Sequence, residues 1–344
     1  MEIKFQKFNL ELKHKFGISY STRTFTPSVI IKIIQGEFCG FGEASLPPYL
    51  CETQDSVISF LSGIKLRDIN SITDLNTLTN KINFLSPGNF AAKAAINIAL
   101  HDLLGKISRL PCYKLYNISF DILPYTSFTI GIDSPEVIVK KVEEAESFRI
   151  LKVKLGTDND REIIETIRNI TDKPIYADAN QGWKDKHNAL ELIHFLVEKN
   201  VLLVEQPFPV MNFDDSAWLS ERSPLPIIAD ESFQTADDLE TIKNYFSGIN
   251  IKLMKCGGLS DAYKLIEKGR ECNLKVMLGC MTESSCAISA ALHLSSLADF
   301  ADLDGNLLIA NDPFICTTVI DGRLTIPDGN GLGIIPDDKR LFIK

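Results

Sequence analysis

Lys152 and Lys154 stand one residue apart in "ILKVKLG" (150–156), a short apolar run that reads as a strand. Side chains alternate along a strand, so both ammonium groups point to one face. Like charges repel, and a buried lysine is costly without a partner. Candidate partners lie further along. "YADAN", "VEQP" and "ADES" each end a comparable run in a carboxylate: Asp178, Glu205 and Asp230. "INIKLMKCGG" adds Lys252, with Lys255 in the loop beyond, and "ADLDG" adds Asp302 and Asp304, which at i and i+2 share a face.

Three unpaired carboxylates brought together would repel strongly, and a hard divalent cation resolves that. An all-oxygen set suits Mg²⁺, with water or substrate completing its shell. The alternative is that each acid pairs with a nearby Lys or Arg, or caps the following helix. Three acids in register on adjacent strands favour the metal; Glu231 and Asn180 lie near enough to support it. A lone strand lysine is ordinarily a surface residue with its head in water. Beside a cation, however, a lysine whose basicity is pulled down becomes a competent general base, and Lys152 together with the metal would do that to Lys154. Schiff-base chemistry is the other use of such lysines, but it leaves the carboxylates without a task. Asp302 and Asp304 can receive a cationic group such as an ammonium; otherwise they are solvated loop acids.

These residues need a frame that brings strand ends together. Eight β-branched runs, from "SFTIGI" (127–132) to "DFADLD" (299–304), alternate with segments long enough for helices. This is an α/β pattern of parallel units that closes into a TIM-type barrel, with eight strands and seven helices, a modified (β/α)7β barrel. A doubly wound open sheet is the alternative, but no G-x-G-x-x-G follows the first strands. In a barrel the active site lies at the C-terminal ends of the strands. The second and sixth strands, with their lysines, then face each other across the axis, the three carboxylate strands fill the arc between, and Asp302/Asp304 lie at the opposite edge of the ring. Such an array can hold a carboxylate substrate on the metal and reach its α-carbon from both faces. Ahead of the barrel, "PSVIIKIIQGEFCGFGEAS" reads as two strands around a turn, and "NFAAKAAINIALHDLLGKI" as a helix. The expected division is an α+β capping domain over residues 1–123, the barrel with the active site over 124–305, and a turn-rich tail, 306–344, that returns to the cap.

Composition narrows the function classes. The formal net charge is −9, without a Lys/Arg-rich run, so a nucleic-acid partner is not expected. No apolar run is long enough to span a membrane and the N-terminus lacks a signal-peptide core, so the expected location is cytoplasmic. The eight cysteines are scattered without a C-x-x-C, which fits reduced thiols. A homo-oligomer is compatible with all of this.

Together, "KVK", "DANQGW", "EQP", "ADES", "NIKLMKCGG" and "GCMTES" resemble the enolase superfamily in its muconate-lactonizing subgroup, over nearly the whole chain. The resemblance implies Asp178, Glu205 and Asp230 as Mg²⁺ ligands and Lys154 and Lys252 as the acid/base pair. It also implies Lys152 as the residue that helps hold the substrate carboxylate. "DLDG" is similar to the Asp-x-Asp signature of the dipeptide epimerases, whose two acids take the N-terminal ammonium. Thr129 and Cys280 match positions that line the dipeptide. One departure concerns Arg23, two residues from the place where Ala-Glu epimerases carry a capping-loop arginine. The implied activity is inversion of the C-terminal residue of a dipeptide, L-Ala-L-Glu to L-Ala-D-Glu. An o-succinylbenzoate synthase, a cycloisomerase, an N-acylamino acid racemase and a non-catalytic metal-dependent binding protein are the alternatives.

Overall fold

The computed structural model describes residues 1–18, 21–120, 122–315, 318–326 and 328–341. Three antiparallel strands open the chain: β1 (Glu2–Ile18), β2 (Ser21–Gln35) and β3 (Phe38–Ser45). Helices α1 (Gln54–Ser62), α2 (Ile72–Asn83), α3 (Phe90–Ser108) and the short α4 (Cys112–Leu115) follow. The Ala-rich α3 is buried on every side from Ala91 to Gly105, because it lies between the sheet and the rest of the molecule. Its small residues let it approach closely: a Cβ on Gly42 of β3 would sit 2.0 Å from the Ala95 carbonyl oxygen.

The rhythm of runs from residue 127 becomes eight parallel strands. They are β4 (Ser127–Ile130), β5 (Ile150–Lys154), β6 (Ile175–Asp178), β7 (Val201–Glu205), β8 (Ile227–Ala229), β9 (Gly248–Lys252), β10 (Lys275–Gly279) and β11 (Phe300–Asp302). They are hydrogen-bonded in chain order, and a parallel bridge from Thr126 to Ala301 joins the last strand to the first. Between them lie α5 (Pro135–Glu144), α6 (Asp160–Arg168), α7 (Lys186–Glu198), α8 (Phe213–Arg222), α9 (Leu239–Ile242), α10 (Leu253–Cys256) with α11 (Leu259–Glu271), and α12 (Ser285–Leu292). The seven connections and the closed ring are the expected TIM-type barrel. Its lower interior is a layer of Ile150, Tyr176, Leu203, Ile228 and Met277, a packed plug rather than a pore.

Register sets the level of the upper layer. Lys154 pairs with Asp178, and Asp178 with Glu205. On the other side Gly279 pairs with both Lys252 and Asp302. The charged residues therefore form one ring at the C-terminal ends of the strands.

The tail carries only short strands. Gly331 bridges Pro111, Leu332 N–H donates to Asp102 Oδ1 at 2.9 Å, and Ile309 bridges Leu12 of β1. Seven described cysteines are free thiols; Cys316 lies outside the described residues. No described helix is long and apolar enough to cross a membrane.

Candidate active site

Arg23, Thr129, Lys152, Lys154, Asp230, Lys252, Cys280, Asp302 and Asp304 line one cavity at the top of the barrel, of about 70 Å³. Asp178 and Glu205 lie beneath them, fully buried. Every residue singled out from the sequence is thus brought to one place.

The internal pairing differs from the expectation. Among the described residues Asp178, Glu205 and Asp230 are not drawn together into a ready-made metal cluster. The carboxylates are instead met by lysines. Lys152 Nζ lies 2.7 Å from Glu205 Oε2, 2.7 Å from Asp302 Oδ2 and 3.1 Å from Asp178 Oδ2. Lys154 donates to Asp178 Oδ2 at 2.6 Å, and Lys252 to Asp230 Oδ2 at 2.6 Å. The two neighbouring lysines therefore share an oxygen of Asp178, which answers their repulsion. Asp302 is likewise not held apart from the other acids. The ring is narrow, and β11 lies only two strands from β5 across the β4 seam, so Lys152 reaches both sides.

Burial and charge set the protonation of this ring. Burial alone would lower the Lys152 ammonium, but Asp302, Glu205, Asp178 and Asp230 hold it well above the ordinary lysine value. Lys252 is raised in the same way, chiefly by Asp230 against burial. Burial opposes the Asp230 charge, yet Lys252 and Lys255 outweigh it and hold Asp230 well below the usual carboxylate range. Glu205 goes the other way: burial first, then Asp178, push it up to about 7 despite Lys152. Its buried Oε2 meets only the Lys152 ammonium, as an ion pair at 2.7 Å. Asp304 is also raised to about 7, by burial and by Asp302.

Asn250, Gly279, Ser127 and Gln206 support the site without having been singled out in the sequence. Asn250, two residues before Lys252 on β9, donates from Nδ2 to Glu205 Oε1 at 2.8 Å. The alternation that placed Lys252 inward also placed Asn250 inward, so that signal was available. Gly279 makes room for it: a Cβ there would meet Asn250 Oδ1 at 2.5 Å. Ser127 Oγ donates to Asp302 Oδ1 at 2.7 Å, and Thr129 N–H to Asp304 Oδ2 at 2.6 Å. Lys255 is not a loop residue but sits on α10. Its Nζ contacts Asp230 O and Oδ1 at 2.7 Å, Phe233 O at 2.8 Å and Asn250 O at 2.9 Å. Gln206, in the left-handed region at φ 37°, accepts from Asp230 N–H at 3.0 Å and from Ser232 N–H at 3.1 Å. Four side-chain hydrogen bonds, with Gln206 N–H donating to the Ile228 carbonyl at 2.9 Å, hold that strained residue and fix the Asp230 main chain.

The cap supplies the lid of the cavity. Arg23 Nη2 donates to Thr282 Oγ1 at 2.9 Å, and Ser45 Oγ to the Thr282 carbonyl at 2.6 Å. Tyr49 hydroxyl contacts the Met281 sulfur. Tyr49 lies 232 residues from Met281 in sequence, and no local pattern announces such a contact. Residues 19 and 20 of the loop before Arg23 lie outside the described residues.

Comparison with known proteins gives a consistent result. Residues 137–340 match the model of an enolase C-terminal domain-like family. Residues 2–116 match the mandelate racemase/muconate lactonizing enzyme N-terminal domain. An L-Ala-D/L-Glu epimerase of Bacteroides thetaiotaomicron is 49% identical over 336 residues, covering 97% of this chain and 88% of that protein. The substrate-liganded L-Ala-D/L-Glu epimerase of Bacillus subtilis superimposes with a TM-score of 0.88 at 28% identity, over 98% of each chain. The dipeptide epimerase of Enterococcus faecalis, complexed with Mg and L-Leu-L-Tyr, has a TM-score of 0.88 at 30% identity, over 96% of this chain and 98% of that one.

Proposed function

Because the chain belongs to the enolase superfamily, we propose that its cavity is the active site of a Mg²⁺-dependent dipeptide epimerase. The reading carries furthest on one observation: two buried lysines, Lys154 and Lys252, stand four strands apart in a ring of eight, on opposite walls of one cavity. Binding alone needs no such two-sided pair. Inversion at a carbon needs a group on each face.

Asp178, Glu205 and Asp230 fit a divalent cation. All three are buried oxygen donors at the ends of adjacent strands, and Asp178 and Glu205 already share the Lys152 ammonium as a counter-charge. When bound, Mg²⁺ supplies positive charge that makes the α-proton of a carboxylate substrate removable. The chain's own residues do the rest. Lys152 gives a second positive charge to the substrate's terminal carboxylate and to the charge that develops on it. Asp230, which holds the proton on Lys252, would turn to the cation. One of Lys154 and Lys252 could then remove the α-proton in its neutral form while the other returns a proton to the opposite face. Asp302 and Asp304 take the N-terminal ammonium: Asp302 already holds an ammonium, that of Lys152, at 2.7 Å. Binding of a cation by Asp178 and Asp230 would draw these carboxylates away from Lys154 and Lys252, which they now meet at 2.6 Å.

The substrate we favour is L-Ala-L-Glu and its L-Ala-D-Glu epimer, as in the Bacteroides and Bacillus relatives. Arg23 at the cavity wall is suited to meet the glutamate side chain. The partner is thus a small molecule; acids outnumber bases 45 to 36, which disfavours nucleic acid. The free thiols suit a reducing cytoplasm. The test is a screen of L-Ala-L-Xaa dipeptides for α-deuterium incorporation in D₂O with Mg²⁺ present. Incorporation with a preference for Xaa = Glu is expected. No incorporation into any dipeptide, with incorporation into N-acylated amino acids, would replace this reading with a racemase.

A further inference from the structure

A second cavity, of about 600 Å³, abuts the catalytic one, and Thr129 and Leu308 line both. It is built where β1 leaves the cap sheet. The β1–β2 pairing breaks between Glu11 and Phe16, and β1 turns to the segment after Asp304 instead. Lys13 N–H donates to the Leu308 carbonyl at 2.9 Å, and Leu12 bridges Ile309. The floor is apolar, with the rings of Phe128 and Phe148 5.0 Å apart.

The walls are cationic, in a chain whose net charge is −9. Lys13, Lys15 and Lys141 line the cavity. Against them stands Glu144, which is already engaged by His14 at 3.2 Å. Lys141 is buried, and its Nζ lies 3.7 Å from Asp133 Oδ2, a loose pair. Among the described residues no carboxylate pairs with Lys13 or Lys15. A cavity with an apolar floor and an excess of ammonium groups selects a short aliphatic chain ending in an anion.

Its position says which part of a ligand enters. The shared wall at Thr129 carries the hydrogen bond to Asp304 Oδ2, so the cavity begins beside the acids assigned to the substrate's ammonium. The side chain on the same carbon as that ammonium is the group that faces it. We propose that this cavity is a subsite for an acidic side chain on the N-terminal residue, so that L-Glu-L-Xaa dipeptides are substrates as well as L-Ala-L-Xaa. The subsite rests on the dipeptide reading above and adds to it a second specificity-determining surface.

The test compares kcat/KM for L-Glu-L-Glu, its neutral isostere L-Gln-L-Glu, and L-Ala-L-Glu, in the Mg²⁺-loaded wild-type enzyme. It repeats the comparison in the double variant Lys13→Glu/Lys15→Glu and in Lys141→Gln. L-Glu-L-Glu is expected to exceed L-Gln-L-Glu at least tenfold in the wild type. The double variant, which changes only exposed side chains, should erase that preference while leaving L-Ala-L-Glu within about twofold. Lys141→Gln should reduce it in the same direction. Equal rates for L-Glu-L-Glu and L-Gln-L-Glu, with L-Ala-L-Glu turned over normally, would overturn the subsite and leave the epimerase intact. A preference that survives in the double variant would overturn it too. Inactivity toward all three dipeptides would overturn the dipeptide reading itself.

Discussion

Two groups of buried acids lie near the mouth of the barrel, and they are satisfied differently. Asp178, Glu205, Asp230 and Asp302 face ammonium groups from β5, β9 and α10. Glu43 on β3 and Glu283 beyond β10 are buried, Asp312 in the tail is half-buried, and none of the three has an ion pair among the described residues. Glu43 accepts from the Ser284 N–H at 3.0 Å, the Ser284 hydroxyl, and Ser28 Oγ at 3.2 Å. Asp312 takes the neighbouring Ser285 through its N–H and hydroxyl. Glu283 accepts from Met281 N–H at 3.0 Å. In the first group the lysines hold Asp178 and Asp230 below the usual carboxylate range against burial, whereas Glu205 is pushed up to about 7. The second holds cap and tail to the N-terminus of α12, and burial pushes Glu43 to about 7 and Glu283 to about 8. Buried acid is therefore not by itself a sign of catalysis; the kind of partner decides.

The largest effect should come from removing the cations of the first group. Lys154→Ala or Lys252→Ala should each lower epimerisation by roughly 10²–10⁴-fold, the usual share of a general acid–base group. Each variant should still exchange the α-proton of one stereoisomer with deuterium, and the two variants should prefer opposite ones. Full epimerase activity in both would collapse the distinction between the two groups. A loss of a similar size, but in stability, is expected for Lys255→Met. It takes one of two ammonium partners from the buried Asp230 carboxylate, which keeps Lys252, and leaves three carbonyl oxygens without their shared donor. Breaking a buried pair in this way costs about 3–5 kcal/mol, read as a lower urea midpoint. An unchanged midpoint would show that Lys252 alone suffices for Asp230.

The contrast between the groups also marks what could be read from the sequence. Period-two alternation and the rule that barrel sites sit at strand ends located the lysines, Asp178, Glu205, Asp230 and the Asp302/Asp304 pair. Each of these lies on or next to a strand whose inward face is fixed by its apolar neighbours. The pairing among them was not legible. It depends on how closely β4, β5 and β11 approach across the seam, and side-chain reach decides whether Lys152 meets Asp302. Glu43 carries no such signal, because "GFGEAS" reads as an ordinary strand end. Its partner Ser284 lies 241 residues away, and only the docking of cap on barrel makes it buried. The contact of Tyr49 with Met281 is invisible in the sequence for the same reason.

The second group yields a smaller effect with a definite sign. Folded, Glu283 keeps its proton up to about pH 8; unfolded, it releases it near the ordinary 4.5. Between those values the folded state binds more protons than the unfolded state, so stability falls as pH rises through the window. Burial is the main cause, with Glu43 adding to it. Glu283→Gln keeps an oxygen for the Met281 N–H but has no proton to lose. The wild type should lose on the order of 2 kcal/mol between about pH 5 and 8.5, a discounted fraction of the roughly 1.4 kcal/mol that attends each pH step between the unfolded and folded values. In thermal unfolding that is a fall of roughly 3–6 °C. The variant should fall less and end above the wild type at the alkaline end of that range. It should keep a residual slope that levels off above about pH 7, where Glu43, Glu205 and Asp304 finish titrating. Identical slopes in the two proteins would mean that Glu283 is ionised when folded. The seam would then hold a charge neutralised as in the first group, and the difference between the two would disappear.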